Sequence, residues 1–162
     1  HYDAEGKIME EGIINDSAKY DGEIKWYYPS GAVRIAGFYR DTVPFGDWNE
    51  YYPDSSNKAR YSYIKGKLSG SYKYYHPNGY LWTERYYKEG KLWNVLIIND
   101  SKGKPLAKGD LTDGTGSVKV YDENNVETAL LFYKYDFLVA SANLPNPSLR
   151  RLSTNQYDDN RR

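Results

Sequence analysis

The sequence predicts an all-β chain: an elongated antiparallel meander built from about five β-hairpin repeats of 24 residues. Three observations carry this. Glycines and tyrosines recur at one fixed step, so that Gly22, Gly46 and Gly70 correspond, as do Tyr27, Tyr51 and Tyr75, and Tyr39, Tyr63 and Tyr87. Several independent positions sharing a period define an internal repeat. Within each repeat, two runs of six to eight residues rich in Tyr, Trp, Val and Ile are separated by turn residues, and helical periodicity is nowhere sustained. The turns are short, and short turns join antiparallel neighbours.

In order, a partial unit occupies residues 2–21 and three well-formed units follow at 22–45, 46–69 and 70–93. In Pro29-Ser30-Gly31 and Pro77-Asn78-Gly79, proline presets its φ and glycine supplies the positive φ that closes the loop. Lys65-Gly66-Lys67 and Glu89-Gly90-Lys91 make the turns between units. The unit at 94–115 is degraded: Asn94 replaces the leading glycine, and Leu96, Ile97 and Ile98 replace aromatics. A fifth begins at Gly116 and runs through Leu130-Leu131-Phe132-Tyr133. The array is expected to span 1–139, with 140–162 an irregular polar tail. His1 is not an initiator methionine, and Tyr2-Asp3-Ala4-Glu5-Gly6-Lys7-Ile8 matches the middle of a repeat. A processed or excised segment is the expectation.

A lone hairpin is marginal in water, so stability must come from stacked neighbours. Alternation assigns Tyr27, Tyr51, Tyr75, Val33, Ile35, Tyr39, Tyr63, Leu81 and Tyr87 to an odd-numbered face, expected to be the better buried. The even-numbered face carries Ile24, Trp26, Trp48, Tyr72, Tyr74, Trp82 and Tyr86 beside Arg34, Glu50 and Glu84.

Gly70-Ser71-Tyr72, Tyr75, Asn78-Gly79, Tyr87 and Gly90-Lys91-Leu92 together resemble the bacterial variant of the MORN repeat. Gly46-Asp47-Trp48, Tyr51, Tyr63 and Gly66-Lys67-Leu68 match nearly as well. The resemblance covers about residues 2–136 and is strongest over 22–93. It implies an elongated sheet of successive hairpins. It also implies the settings where such repeats occur: interaction scaffolds, toxin-neutralising partners and neighbours of envelope domains. On that ground a bacterial cell envelope is favoured slightly over cytoplasm. The tyrosine-poor unit at 94–115 interrupts any continuous binding face.

Composition narrows the chemistry. The chain has 22 basic and 22 acidic side chains, so bulk electrostatics gives no pull toward nucleic acid, and lipid binding lacks the basic patch it needs. No cysteine is present, which removes disulfides and thiolate chemistry. No apolar run approaches the roughly 18 residues of a membrane span. Histidine occurs at His1 and His76 alone; His76 sits in a Tyr-His-Pro turn, where packing is the bland explanation. Metal-ligand spacing, a nucleophile elbow and a phosphate-cradling loop are all missing, so no cofactor and no catalysis are expected. Glu10-Glu11 and Asp158-Asp159 suit a solvated surface. Asn15-Asp16-Ser17 and Asn99-Asp100-Ser101 fit a glycosylation acceptor but are also ordinary turn formers.

The function expected is a non-catalytic scaffold presenting an aromatic sheet to a partner protein, through Trp26, Trp48, Tyr72, Tyr74 and Trp82. Alanine at Trp48 or Tyr72 should weaken the partner and leave the fold intact. The alternative is a glycan-binding module that uses Trp26, Trp48, Tyr72 and Trp82 as stacking platforms, with flanking carboxylates and amides.

Overall fold

The computed structural model describes residues 1–144. Among them there is no helix, and strands run in meander order as the repeat demands. A nine-stranded antiparallel sheet contains β1 (Glu10–Ile14), β2 (Tyr20–Tyr27), β3 (Val33–Arg40), β4 (Val43–Tyr51) and β5 (Asn57–Ile64). It continues through β7 (Gly70–Tyr75), β8 (Leu81–Lys88) and β9 (Lys91–Ile98), with the short β6 (Lys67–Leu68) paired to β5. A separate three-stranded sheet holds β10 (Gly116–Tyr121), β11 (Glu127–Lys134) and β12 (Phe137–Asn143).

Two kinds of turn alternate. Between units, Asp41-Thr42, Lys65-Gly66, Glu89-Gly90, Asp113-Gly114 and Tyr135-Asp136 have positive φ at both residues, the backbone of a type I′ hairpin turn. Three of the five place glycine second, where it fits without cost. Thr42 takes φ 69° there despite its branched Cβ. Within units, Gly31 N–H donates to Tyr28 O and Gly79 N–H to His76 O, both at 2.8 Å. Ser55, φ 68°, takes the corresponding place in the middle unit.

Each well-formed unit also carries a β-bulge at one place. Registry skips Arg34 between Ile35 and Val33, Lys58 between Ala59 and Asn57, and Trp82 between Thr83 and Leu81. A bulge of this kind bends the strand and increases its twist. Units are then tied by a side-chain clamp that obeys the same period. Tyr28 Oη donates to Tyr51 O at 2.8 Å, and Tyr52 Oη to Tyr75 O at 2.7 Å. His76, in the next equivalent position, brings Nε2 to 3.3 Å from Asn99 O. It is buried, 5% exposed, and stacks on Trp82 with centroids 4.6 Å apart. His76 thus does a tyrosine's work in the repeat.

The division into odd and even faces is corrected by the registers. Trp26 lies opposite Ile35, Trp48 opposite Tyr61 and Tyr74 opposite Thr83, so numbering parity reverses at each turn. One face therefore combines even residues of first strands with odd residues of second strands: Ile24, Trp26, Ile35, Gly37, Tyr39, Trp48, Tyr61, Tyr63, Tyr72 and Tyr87. This mixed face is the buried one. Ile24, Trp48 and Ala59 on it are buried, while Tyr27, Tyr51 and Tyr75 on the other are half-buried.

Among the described residues the degraded unit makes the one break in the array. After β9 the chain turns at 100–103 and returns irregularly beside β9, with Leu106 N–H donating to Ile98 O and Lys108 Nζ to Val95 O. Leu92, Val95 and Ile98 then pack with Leu111 and Val118, and Leu106, Leu131 and Tyr133 close around them. β12 extends to Asn143, beyond the boundary expected at 139, and all seven of its residues are exposed. The remainder of the expected tail, 145–162, lies outside the described residues, as does its Asp158-Asp159 pair.

Candidate functional site

The aromatic face begins as a ladder of rings. Trp26 stacks on Trp48 at 5.8 Å, and Tyr39 and Tyr63 meet Trp48 edge-on at 5.3 and 5.7 Å. Tyr63 leads to Tyr61, which stacks on Tyr72 at 5.1 Å, and Tyr72 meets Tyr87 at 5.9 Å. Tilted and edge-on pairs of this kind are favourable beyond the area they bury. Gly37 makes the ladder possible: a Cβ there would sit 2.2 Å from the Trp48 ring, so the indole lies directly on the bare backbone.

Burial changes the tyrosines chemically. Tyr72 is pushed up to about 12, chiefly by burial and then by the Glu50 carboxylate. Tyr61 is raised further by burial and by Glu50, whose Oε1 accepts its hydroxyl at 3.0 Å. Both rings stay neutral phenols over the physiological range.

The five residues expected to bind a partner fall into two groups. Trp26 and Trp48 belong to the ladder over β2–β4. Trp48 is 5% exposed and its Nε1 is shielded without an acceptor, so it is packing, and alanine there attacks the fold itself. Tyr72, Tyr74 and Trp82 instead line a cleft of about 430 Å³ together with Arg85, Lys119 and Tyr121. Tyr74 meets Trp82 edge-on at 5.8 Å. One wall is β7 and β8; the other is the end of β10, where Tyr121 Oη donates to Ala107 O at 2.7 Å and Lys119 Nζ to Glu127 at 2.7 Å.

Sequence reasoning missed Arg85, Lys119 and Tyr121. Arg85 lies directly across from Tyr72 on β7 and Val95 on β9, one strand in from the β9 edge of the sheet. Its signal was present: the equivalent positions of the two preceding units are Gly37 and Tyr61, both uncharged. Lys119 and Tyr121 reach the cleft only because the second sheet turns toward the first, which no periodicity announces.

Among the described residues no group of three His, Asp or Glu side chains is placed to hold a metal ion. Neither a scan against protein-family models nor a search of the curated proteins finds a match to this chain.

Proposed function

We propose that this chain is a non-catalytic scaffold that docks a partner protein on its aromatic face, at the cleft between β7–β8 and β10. The observation that carries the reading is the cleft itself. Tyr72, Tyr74 and Trp82 converge there on Arg85 where the covering sheet leaves a gap. Aromatic and arginine side chains around a concavity are the usual anchors of protein interfaces. The hairpin array supplies a stiff support, in keeping with the MORN-like repeat pattern and its association with interaction proteins.

The glycan alternative draws less support. Sugar stacking needs free ring faces, and here Trp48 is buried while Trp26, Trp82 and Tyr72 have each given one face to Trp48, His76 and Tyr61.

The test is site-specific photo-crosslinking in the native host. A crosslinker at Tyr74 should capture one discrete protein, and one at Arg60, on the opposite face, should not. Capture at both positions alike, or at neither, contradicts the proposal.

A further inference from the structure

The strongest unexplained feature of the molecule is Arg85. Its Nε is shielded from solvent and makes no hydrogen bond, and the side chain enters no ion pair among the described residues. The cation–π pairs of those residues use Arg40, Lys88, Lys91 and Lys134 instead. A guanidinium stays charged under all ordinary conditions and presents a planar fork of donors. Arg85 is half-buried, so its charge is partly desolvated at Nε, and no counter-charge among the described residues offsets that cost.

The carboxylates nearby are committed. Glu127 accepts from Lys119 at 2.7 Å. Glu84, next in sequence, accepts from Ser71 at 2.7 Å and lies 3.8 Å from Lys73, on the far face. Glu50 takes the Tyr61 hydroxyl at 3.0 Å and Lys58 at 3.7 Å. With Lys119 balanced by Glu127, the cleft keeps one uncompensated positive charge, fixed at Arg85, in a chain whose formal net charge is zero.

We propose that this cleft is a carboxylate-binding site, in which Arg85 receives an acidic side chain of a partner protein. This rests on the scaffold reading and supplies the chemistry that the scaffold recognises. Carboxylate geometry matches the guanidinium fork, and a monoanion matches the single free charge. The walls of Tyr74, Trp82, Ile98 and Tyr121 suit an apolar neighbour of that acidic residue, in a volume of about 430 Å³. A sugar acid would need an open ring face beside the cation. Of the rings lining the cleft, Tyr72 and Trp82 have each given one face to Tyr61 and His76, which halves their stacking surface.

The experiment follows the Arg85 Nε–Hε resonance of the ¹⁵N-labelled chain during titration with acetyl-Phe-Glu-Phe-amide, its Gln counterpart and glucuronate. The Glu peptide should shift the resonance saturably with a Kd of about 1 mM or tighter. The Gln peptide should bind at least tenfold more weakly. Arg85→Met should abolish the preference, with β-sheet circular dichroism as a check on folding, and Arg85→Lys should restore part of it. The Glu/Gln comparison on the unaltered chain needs no variant to fold. Equal affinity for the Gln peptide, tighter binding of glucuronate than of the Glu peptide, or the lack of a saturable shift would each overturn the proposal. A Glu-selective cleft with no protein captured at Tyr74 sinks the scaffold and spares the site. Capture at Tyr74 without Glu selectivity does the reverse.

Discussion

The two ends of this molecule obtain a core by different means. Over β2–β5 the interior is aromatic and lies in one layer: Trp26, Tyr39, Trp48 and Tyr63 bury one another across the strands. Around β9 it is aliphatic and has two layers, with Leu92, Val95 and Ile98 against Leu111 and Val118. The difference follows from side-chain chemistry. A tyrosine or tryptophan can turn an apolar face to its neighbour and keep its polar tip wet, so a ring ladder tolerates a solvated top. Leucine, isoleucine and valine have no such tip and need a covering layer. Where the repeat gives up its aromatics, at Leu96, Ile97 and Ile98, the chain leaves the meander and builds a second sheet. The cleft sits at the seam between the two regimes.

The sharpest way to break this comparison is to remove one keystone from each side. Trp48→Ala should cost about 3–5 kcal/mol, as for other buried aromatics, measured by urea unfolding. Ile98→Ala should cost about 2–5 kcal/mol by the same measurement, the spread reflecting how far the second sheet can settle into the cavity. A loss below about 1 kcal/mol for Trp48→Ala would mean that the ladder is decoration on a sheet held otherwise.

Alkaline pH probes mainly the aromatic side, although burial also raises Tyr121 and Tyr133 beside the aliphatic core. Unfolded tyrosines ionise near 10. Tyr72, Tyr61 and Tyr63 are held above that value, first of all by burial. Their contribution is complete below about pH 10 and is lost as pH rises toward the folded values, because only the unfolded chain releases those protons. Phenolate absorbance should therefore rise together with loss of β-sheet circular dichroism between about pH 10 and 12. Ionisation of all 19 tyrosines with the sheet intact would contradict burial of the ladder.

Smaller effects sharpen the detail. Gly37→Ala should destabilise by about 1–3 kcal/mol, because the added methyl drives into the Trp48 ring; in a Trp48→Ala background that penalty should largely vanish. Thr42→Gly should stabilise by about 0.5–1 kcal/mol, since relief of the left-handed backbone outweighs glycine's extra freedom when unfolded.

Much of this fold was legible in the sequence. Proline-x-glycine and x-glycine turns fixed the hairpins, and the 24-residue step located them, down to His76 standing in for Tyr28 and Tyr52. The faces were not legible from parity, because the cross-strand partner of an even residue is odd at each turn, and Arg34, Lys58 and Trp82 are skipped by bulges. The second sheet was legible only as a damaged unit at 94–115. Damage shows that the meander stops but gives no direction for the chain that follows. The site was half legible: Tyr72, Tyr74 and Trp82 were in view, while Lys119 and Tyr121 enter through long-range packing.

The central claim is that rings lying side by side replace a covering layer over β2–β5. Hydrogen exchange of the Trp48→Ala chain tests it most directly. Amides of β3–β5 should lose protection by two or more orders of magnitude, given a local loss of about 3–5 kcal/mol, while those of β9–β11 keep theirs. Undiminished protection across β3–β5 would contradict the account.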